Sequence, residues 1–282
     1  MSDQREPVVA VAPKPGAFGR AATHSGPMFT ADSRWIRRAV RPHPSLRLVC
    51  LPFAGGGASA FQSLVRLLPR DIEVIAIQLP GREERTREDP PDAVPALAAA
   101  CAVAVRPYLN VPYALYGHCA GALLAYEVAH EVRRRFGVWP NRLVAAAQPA
   151  PHLPPTRPPL HELSDELLIE GIRERGGLPP AIAVQPDLIS VLLPLLRSDF
   201  ALWERYQHRR RDPLPCPVTT MRGRADGLVD VTNTKPWGEH SSAGWSELLV
   251  EGGHYFISSL GQADASALAG VLLAPSTNAV AN

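Results

Sequence analysis

The sequence predicts an α/β domain: a mostly parallel central sheet with helices on both faces, interrupted by a helical insertion. Three observations carry that prediction. Short apolar runs of β type alternate with longer runs of helical period, the order that yields parallel strands joined by covering helices. One such run, Tyr113 to Tyr116, leads into Gly117-His118-Cys119-Ala120-Gly121 and then into a helix-type stretch, so a reactive side chain occupies a tight strand-to-helix turn. The alternation lapses between Pro149 and about Pro217, where prolines separate two or three helical runs, and then resumes.

In chain order, residues 1–44 are rich in Pro, Ala, Gly and Arg without a sustained period and read as a flexible N-terminal extension. Within it, Ser33 to Arg41 carries Trp35, Ile36 and four arginines; a solvated arm is preferred to a segment docked on a partner or on the domain itself. The folded domain spans 45–274, with 275–282 as a frayed tail. It opens with a buried strand, Leu46 to Leu51, followed by Pro52 to Phe61, where three glycines precede the helical stretch Phe61 to Leu68. Such a loop lets the backbone approach a ligand. No Gly-Lys-Ser/Thr ending follows, which disfavours a phosphate loop. The second strand, Glu73 to Gln78, runs into a charged turn, Leu79 to Arg85, and a helix from about Asp92 to Leu109 leads to the strand before Cys119.

Beyond Cys119, Leu124, Val128, Val132 and Phe136 recur at helical spacing, Arg133 to Arg135 suit the C-terminal end of the dipole, and Gly137 stops the helix before the strand Arg142 to Ala147. The insertion, about 150–217, starts a helix near Ser164, with Asp165 and Glu166 in its first turn, and ends it at Gly176-Gly177. Its second run, Asp187 to Tyr206, is apolar around much of its circumference and is read as interrupted by Pro194; such a run must pack on something, and a lid over Cys119 is the expected place. The alternation resumes with Val218 to Met221, the loop Arg222 to Gly227, the strand Glu247 to Val250, the segment Gly252 to Ile257, and a last helix to about Leu273.

With 282 residues, 46% of them hydrophobic, the chain can bury a substantial core. Its formal net charge of +2, without a basic block interleaved with aromatics, gives nucleic-acid binding no support. No apolar run has the length of a membrane span and no signal-peptide order is present, so a cytoplasmic protein without membrane association is expected. Cys50, Cys101, Cys119 and Cys216 lie far apart without metal-ligand spacing. No metal is therefore expected, and all but Cys119 read as buried free thiols.

Cys119, Asp226 and His254 each fall at the C-terminal end of a different predicted strand, where open parallel sheets bind ligands. Their order in the chain, nucleophile then acid then histidine, is that of α/β-hydrolases. In such a site His254 deprotonates or pairs with Cys119, and Asp226 holds the imidazole tautomer and balances its charge. The backbone N–H groups of Ala54 and Ala120 form the oxyanion hole, worth roughly 3 to 4 kcal/mol per donor. Asp226 is preferred to Asp230, which lies farther from its strand end. His254, after Gly252-Gly253, is preferred to His118 and His240, and the His118 ring is expected to point away from Cys119.

The pieces LPFAGGGASAF, QLPGREER, GHCAGALLAYE, the Ala-Pro-His of QPAPH, LSDELL, LLPLLRSDF, CPVTTMRGRAD and GGHYFI carry a resemblance. From about Leu51 to Leu260 the chain resembles the type II thioesterases that accompany polyketide synthases and nonribosomal peptide synthetases. The resemblance implies an α/β-hydrolase fold with a helical lid and a Cys119-Asp226-His254 triad. It also implies an acyl thioester borne on phosphopantetheine as substrate, no cofactor of the protein's own, docking to acyl or peptidyl carrier protein domains, and a monomer. The chain departs from the family in three places. Cys119-Ala120 stands where most members have serine and methionine, the Gly-Arg that commonly precedes Ala-Pro-His is missing, and Gly227 replaces a proline after the acid.

The cysteine matters for outcome. Attack by serine on a thioester is downhill, whereas attack by cysteine exchanges one thioester for another of nearly equal energy. Hydrolysis of carrier-bound acyl or aminoacyl groups is the first expectation. Its alternative is acyl transfer from the same Cys119 to a second thiol or an amine, and a catalytically silent carrier-binding module is the minor one.

Overall fold

The apolar runs form one eight-stranded sheet among the residues that the computed structural model describes, 28–176 and 186–275. The expectations placed on residues 1–27, 177–185 and 276–282 lie outside the described residues. The strands are β1 (Thr30–Ala31), β2 (Ile36–Arg38), β3 (Leu46–Leu51), β4 (Ile72–Ile77), β5 (Tyr113–His118), β6 (Arg142–Ala146), β7 (Val218–Gly223) and β8 (Trp245–Val250). Their spatial order is β1-β2-β4-β3-β5-β6-β7-β8. Every pairing from β4 to β8 is parallel, and the two involving β2 are antiparallel. This is the α/β-hydrolase architecture that the sequence predicts.

The period of two along β3 divides the interior. Leu46, Leu48 and Cys50 enter one core, with Leu64 of α1 (Gln62–Leu67) and Leu268 of α7 (Gln262–Leu273). Val49 and Leu51 enter the other, with Leu97 of α2 (Val94–Val105) and Leu124 of α3 (Ala120–Phe136). Helices thus cover both faces, and α3 ends at Gly137 in the left-handed region, φ 77°.

The N-terminal boundary needs correction. Far from being a flexible arm to residue 44, the segment supplies the edge of the sheet: Ile36 pairs with Ile77, Arg37 with Ala76 and Arg38 with Ile75. Ile36 is fully buried against α2 and α3. Glu73, also fully buried, accepts from Arg38 Nε at 3.0 Å and from Arg47 Nε at 2.8 Å, and the Arg85 guanidinium lies 4.3 Å from the centre of the Trp35 ring. The physical reason is the open edge of β4, whose backbone groups and buried carboxylate need partners.

The insertion contributes α4 (Asp165–Glu174), capped by the Ser164 side chain on the Leu167 N–H, and α5 (Pro186–Glu204). Contrary to expectation, Pro194 lies inside α5 and does not end it. Burial of Ile189, Leu193, Leu195, Leu196 and Leu202 on both sides of the proline holds the helix together across the missing N–H. Leu193 and Leu196 also join Leu160, Leu168 and Ile172 in a small core of the insertion's own.

Behind α3, the Tyr126 ring meets His130, His208 and His240 at centroid distances of 4.7, 5.8 and 5.3 Å, and His152 Nδ1 lies 2.7 Å from His240 Nε2. Burial, reinforced by the mutual repulsion of these rings and, for His130, by Arg211, pushes His130 and His240 down to about 4. Two predictions follow from the fold. Ile36→Ala should lower unfolding stability by about 2–5 kcal/mol in chemical denaturation, where a solvated arm would lose almost nothing. Because His130 and His240 have folded pKa values below the unfolded 6.5, their contribution to stability is complete above 6.5 and is lost as pH falls towards 4. Melting temperatures recorded over that window should decline less steeply in His240→Gln than in the wild type.

Candidate active site

Gly117 and Gly121 flank Cys119 because nothing larger fits. A Cβ on Gly117 would lie 2.1 Å from the Gly121 carbonyl oxygen, and one on Gly121 would lie 2.2 Å from that of Leu51. Between them Cys119 has φ 51° and ψ −125°, a setting that costs a non-glycine residue about 1–3 kcal/mol. The surroundings hold it there: the Cys119 N–H donates to the Ala146 carbonyl at 2.8 Å and its own carbonyl accepts from the Ala122 N–H at 2.8 Å. The thiol is half-buried at the N-terminus of α3. Cys50, Cys101 and Cys216 are buried free thiols; burial pushes Cys50 well up and the other two to about 12, which makes them inert.

β7 and β8 bring the acid and the histidine together. Gly223 at the end of β7 permits this, since a Cβ there would strike the carbonyls of Gly252 and Gly253 at 2.5 Å. His254 Nδ1–H donates to Asp226 Oδ2 at 3.0 Å, while Asp226 Oδ1 accepts the N–H groups of Leu228 and Val229 at 2.8 and 3.2 Å. Asp230 is occupied elsewhere, accepting from Thr232 and Asn233 as the cap of α6 (Val231–Thr234). Burial opposes the charge on Asp226, but the His254 hydrogen bond and the two amides hold its carboxyl below the usual range.

His254 is buried, and burial presses its pKa down. The negative charge of Cys119 and hydrogen bonds to Asp226 and Cys119 outweigh that effect and raise it to about 10. The arrangement therefore favours the charged form of His254. His118, fully buried, turns its ring under this loop, where Nε2–H donates to the His254 carbonyl at 2.8 Å. Burial first, and then the nearby His254 charge, lower it to about 3, so it stays neutral and serves as a strut. His240 belongs to the separate histidine cluster behind α3.

The glycine loop borders both protein and open space. A Cβ on Gly55 would meet Leu196 Cδ2 at 2.5 Å, one on Gly56 the Phe53 ring at 3.0 Å, and one on Gly57 Glu83 Oε1 at 2.2 Å, while all three glycines also line the cavity described below. Neither the Ala54 nor the Ala120 N–H donates to an acceptor among the described residues, so both donors stand available. A cavity of about 600 Å³ lies between this loop, residues 81–90 and the Val191–Leu196 stretch of α5, with Phe53 and Ala54 at its wall. The apolar lid run thus does line a chamber.

Several neighbours of Cys119 carry no role in the sequence reading. Tyr255 stacks edge-on against Phe53 and His254 at 4.9 Å, and Arg175 from the lid interacts electrostatically with Cys119 and Tyr255. Arg82 and Asp199 form a buried pair beneath the glycine loop. The only sequence signal for Tyr255, Arg82 and Asp199 was their presence in GGHYFI, QLPGREER and LLPLLRSDF, and Arg175 had none. Among the described residues no group of three or more His, Cys, Asp or Glu side chains is placed to hold a metal ion, and no helix is long and apolar enough to cross a membrane.

The model of the thioesterase domain family matches residues 46–269. The chain belongs to that family. Among similar proteins, gramicidin S biosynthesis protein GrsT of Aneurinibacillus migulanus is 35% identical, the match covering 80% of this thioesterase and 88% of GrsT. RedJ, a thioesterase of the prodiginine pathway in Streptomyces coelicolor, is 38% identical with a TM-score of 0.74, the match covering 80% of this chain and 86% of RedJ. The type II thioesterase BorB from the borrelidin cluster is 31% identical with a TM-score of 0.72, over 86% and 96%. The family match thus runs from the first residue of β3 into α7.

The charge on His254 is directly measurable. Imidazole NMR signals of this thioesterase should show His254 protonated to about pH 10, and Cys119→Ala should bring the midpoint down, because Cys119 supplies the largest raising contribution. A midpoint near 6.5 in both proteins would remove the ion pair from the site.

Proposed function

We propose that this thioesterase hydrolyses acyl or aminoacyl thioesters carried on the phosphopantetheine of acyl or peptidyl carrier proteins, through an acyl-Cys119 intermediate. The observation that carries the proposal is His254, held by Asp226 at 3.0 Å and raised to about 10 by the adjoining Cys119. In the first half-reaction Cys119 Sγ attacks the thioester carbonyl. The developing oxyanion accepts the Ala54 and Ala120 N–H groups, and His254 gives its proton to the departing pantetheine sulfur. In the second, neutral His254 takes a proton from water as the water attacks the acyl-cysteine, and the Cys119 thiol is restored. Asp226, fixed by two amides, keeps Nδ1 protonated so that Nε2 is the nitrogen that exchanges protons.

The relatives support the substrate class: GrsT and RedJ are named for gramicidin S and prodiginine biosynthesis. A second reading is favoured by one specific observation, the thiol in the nucleophile position. Acyl-Cys119 is itself a thioester, so its discharge to a carrier thiol is nearly isoenergetic and competes with water. Intact masses of every component, followed after mixing the protein with an acylated carrier protein, test both. Free acid should appear with an acyl-enzyme mass that Cys119→Ala lacks, and His254→Ala should slow the turnover by about a hundredfold or more. Label passing only to an added second carrier would replace hydrolysis by transfer. The absence of any acyl-enzyme would remove Cys119 from the chemistry.

A further inference from the structure

The glycine loop is not self-supporting. Phe53 to Gly56 form a turn closed by the Gly56 N–H on the Phe53 carbonyl at 2.9 Å, with Gly55 at its third position at φ 77°. That positive φ marks a type II turn. The turn is held in place from outside the loop. Asp199 Oδ2, on α5, accepts the Gly55 N–H at 2.6 Å, and one turn earlier on the same helix Leu196 fills the space that a Gly55 side chain would occupy.

Asp199 is in turn fixed by Arg82. The guanidinium donates from Nη1 to Oδ2 at 2.8 Å and from Nη2 to Oδ1 at 2.9 Å, and both side chains are 3% exposed. Two further donors of Arg82 go to the loop and its own turn: Nη1 to the Gly56 carbonyl at 3.2 Å and Nε to the Pro80 carbonyl at 3.0 Å. Gln78 completes the frame, accepting from the Ala58 N–H at 2.8 Å and donating to the Arg82 carbonyl at 3.0 Å. One carboxylate from the lid therefore sets a peptide immediately next to the Ala54 N–H.

We propose that Asp199 and Arg82 are positioning residues. Seating of α5, through Asp199 on the Gly55 N–H, holds the turn that aims the Ala54 N–H at the substrate carbonyl, so the oxyanion site is complete only while the lid helix is down. The inference rests on the acyl-Cys119 reading above. Its consequence is that a raised lid admits substrate to a site with only the Ala120 donor, and chemistry waits for closure.

Two reactions of Cys119 separate this role from general structural support. Acylation by p-nitrophenyl butyrate forms an S–C bond to the carbonyl, passes through an oxyanion and releases p-nitrophenolate. Alkylation by iodoacetamide displaces iodide at a methylene carbon and needs no oxyanion hole. Asp199→Ala strands Arg82 without its partner, so the paired variant Asp199→Leu with Arg82→Met, which buries no charge, accompanies it. In both variants acylation should slow by about a hundredfold, the loss typical of one oxyanion donor, while iodoacetamide labels Cys119 at the wild-type rate. Acylation at the wild-type rate in the paired variant overturns the proposal. A parallel fall of both reactions also overturns it, since the pair then supports the nucleophile or the fold at large. A wild-type protein that forms no acyl-Cys119 with the ester overturns the thioester reading itself, and this inference with it.

Discussion

Bare backbone against bare backbone, where Gly117 and Gly121 meet each other and the end of β3, is the contact on which the rest of the site depends. Because Gly121 lies against the carbonyls of Leu51 and Pro52, the first turn of α3 is locked beside the exit of β3. That sets the loop after β3, which carries Ala54, beside the first turn of α3, which carries Ala120. Any side chain at either glycine would push the helix away and separate the two amides, whatever became of the thiol. The strain at Cys119 is tolerated because Ala146 and Ala122 hold its backbone from both sides.

Upon this frame the charges are arranged with little freedom. His254 and His118 have rings 6.2 Å apart, yet one favours its charged form and the other stays neutral. Burial alone would discharge both. Asp226 and Cys119 flank only His254, whereas His118 meets a carbonyl and aromatic rings, so a single proton is localised where a carboxylate and a thiol can both reach it. The three sealed cysteines lie apart from both, and burial outweighs the nearby Arg85 at Cys101 and Arg142 at Cys216.

The residues that were legible in the sequence are those whose role is local. The glycine spacing around Cys119, the serine before α4, the strand runs and the preference for Asp226 over Asp230 all follow from neighbours in the chain, and each is found where expected. What was not legible depends on partners far away. Asp199 looks like one polar residue in an apolar helix until Arg82 and Gly55 meet it. Nothing near the glycines at 55–57 in sequence announces that Leu196 and Glu83 pack against them. The three residues of β2 are too few to display a period, and their arginines disguise a buried edge whose anchor, Glu73, lies 35 residues on from Arg38. Pro194 ends helices in isolation but not one clamped by apolar contacts on both flanks.

The carboxylate of Glu73 gives that edge a wider meaning. It sits with no exposure in the middle of β4, and one of its two guanidinium partners comes from β2. A shortened chain starting at Leu46, where the family match begins, would keep the complete site yet lose Arg38, leaving Glu73 half-neutralised along an uncovered row of amides and carbonyls. Such a row invites a strand from another molecule. The amino-terminal strand therefore covers the β4 edge, and solubility rather than activity is the property in which its removal would first be felt.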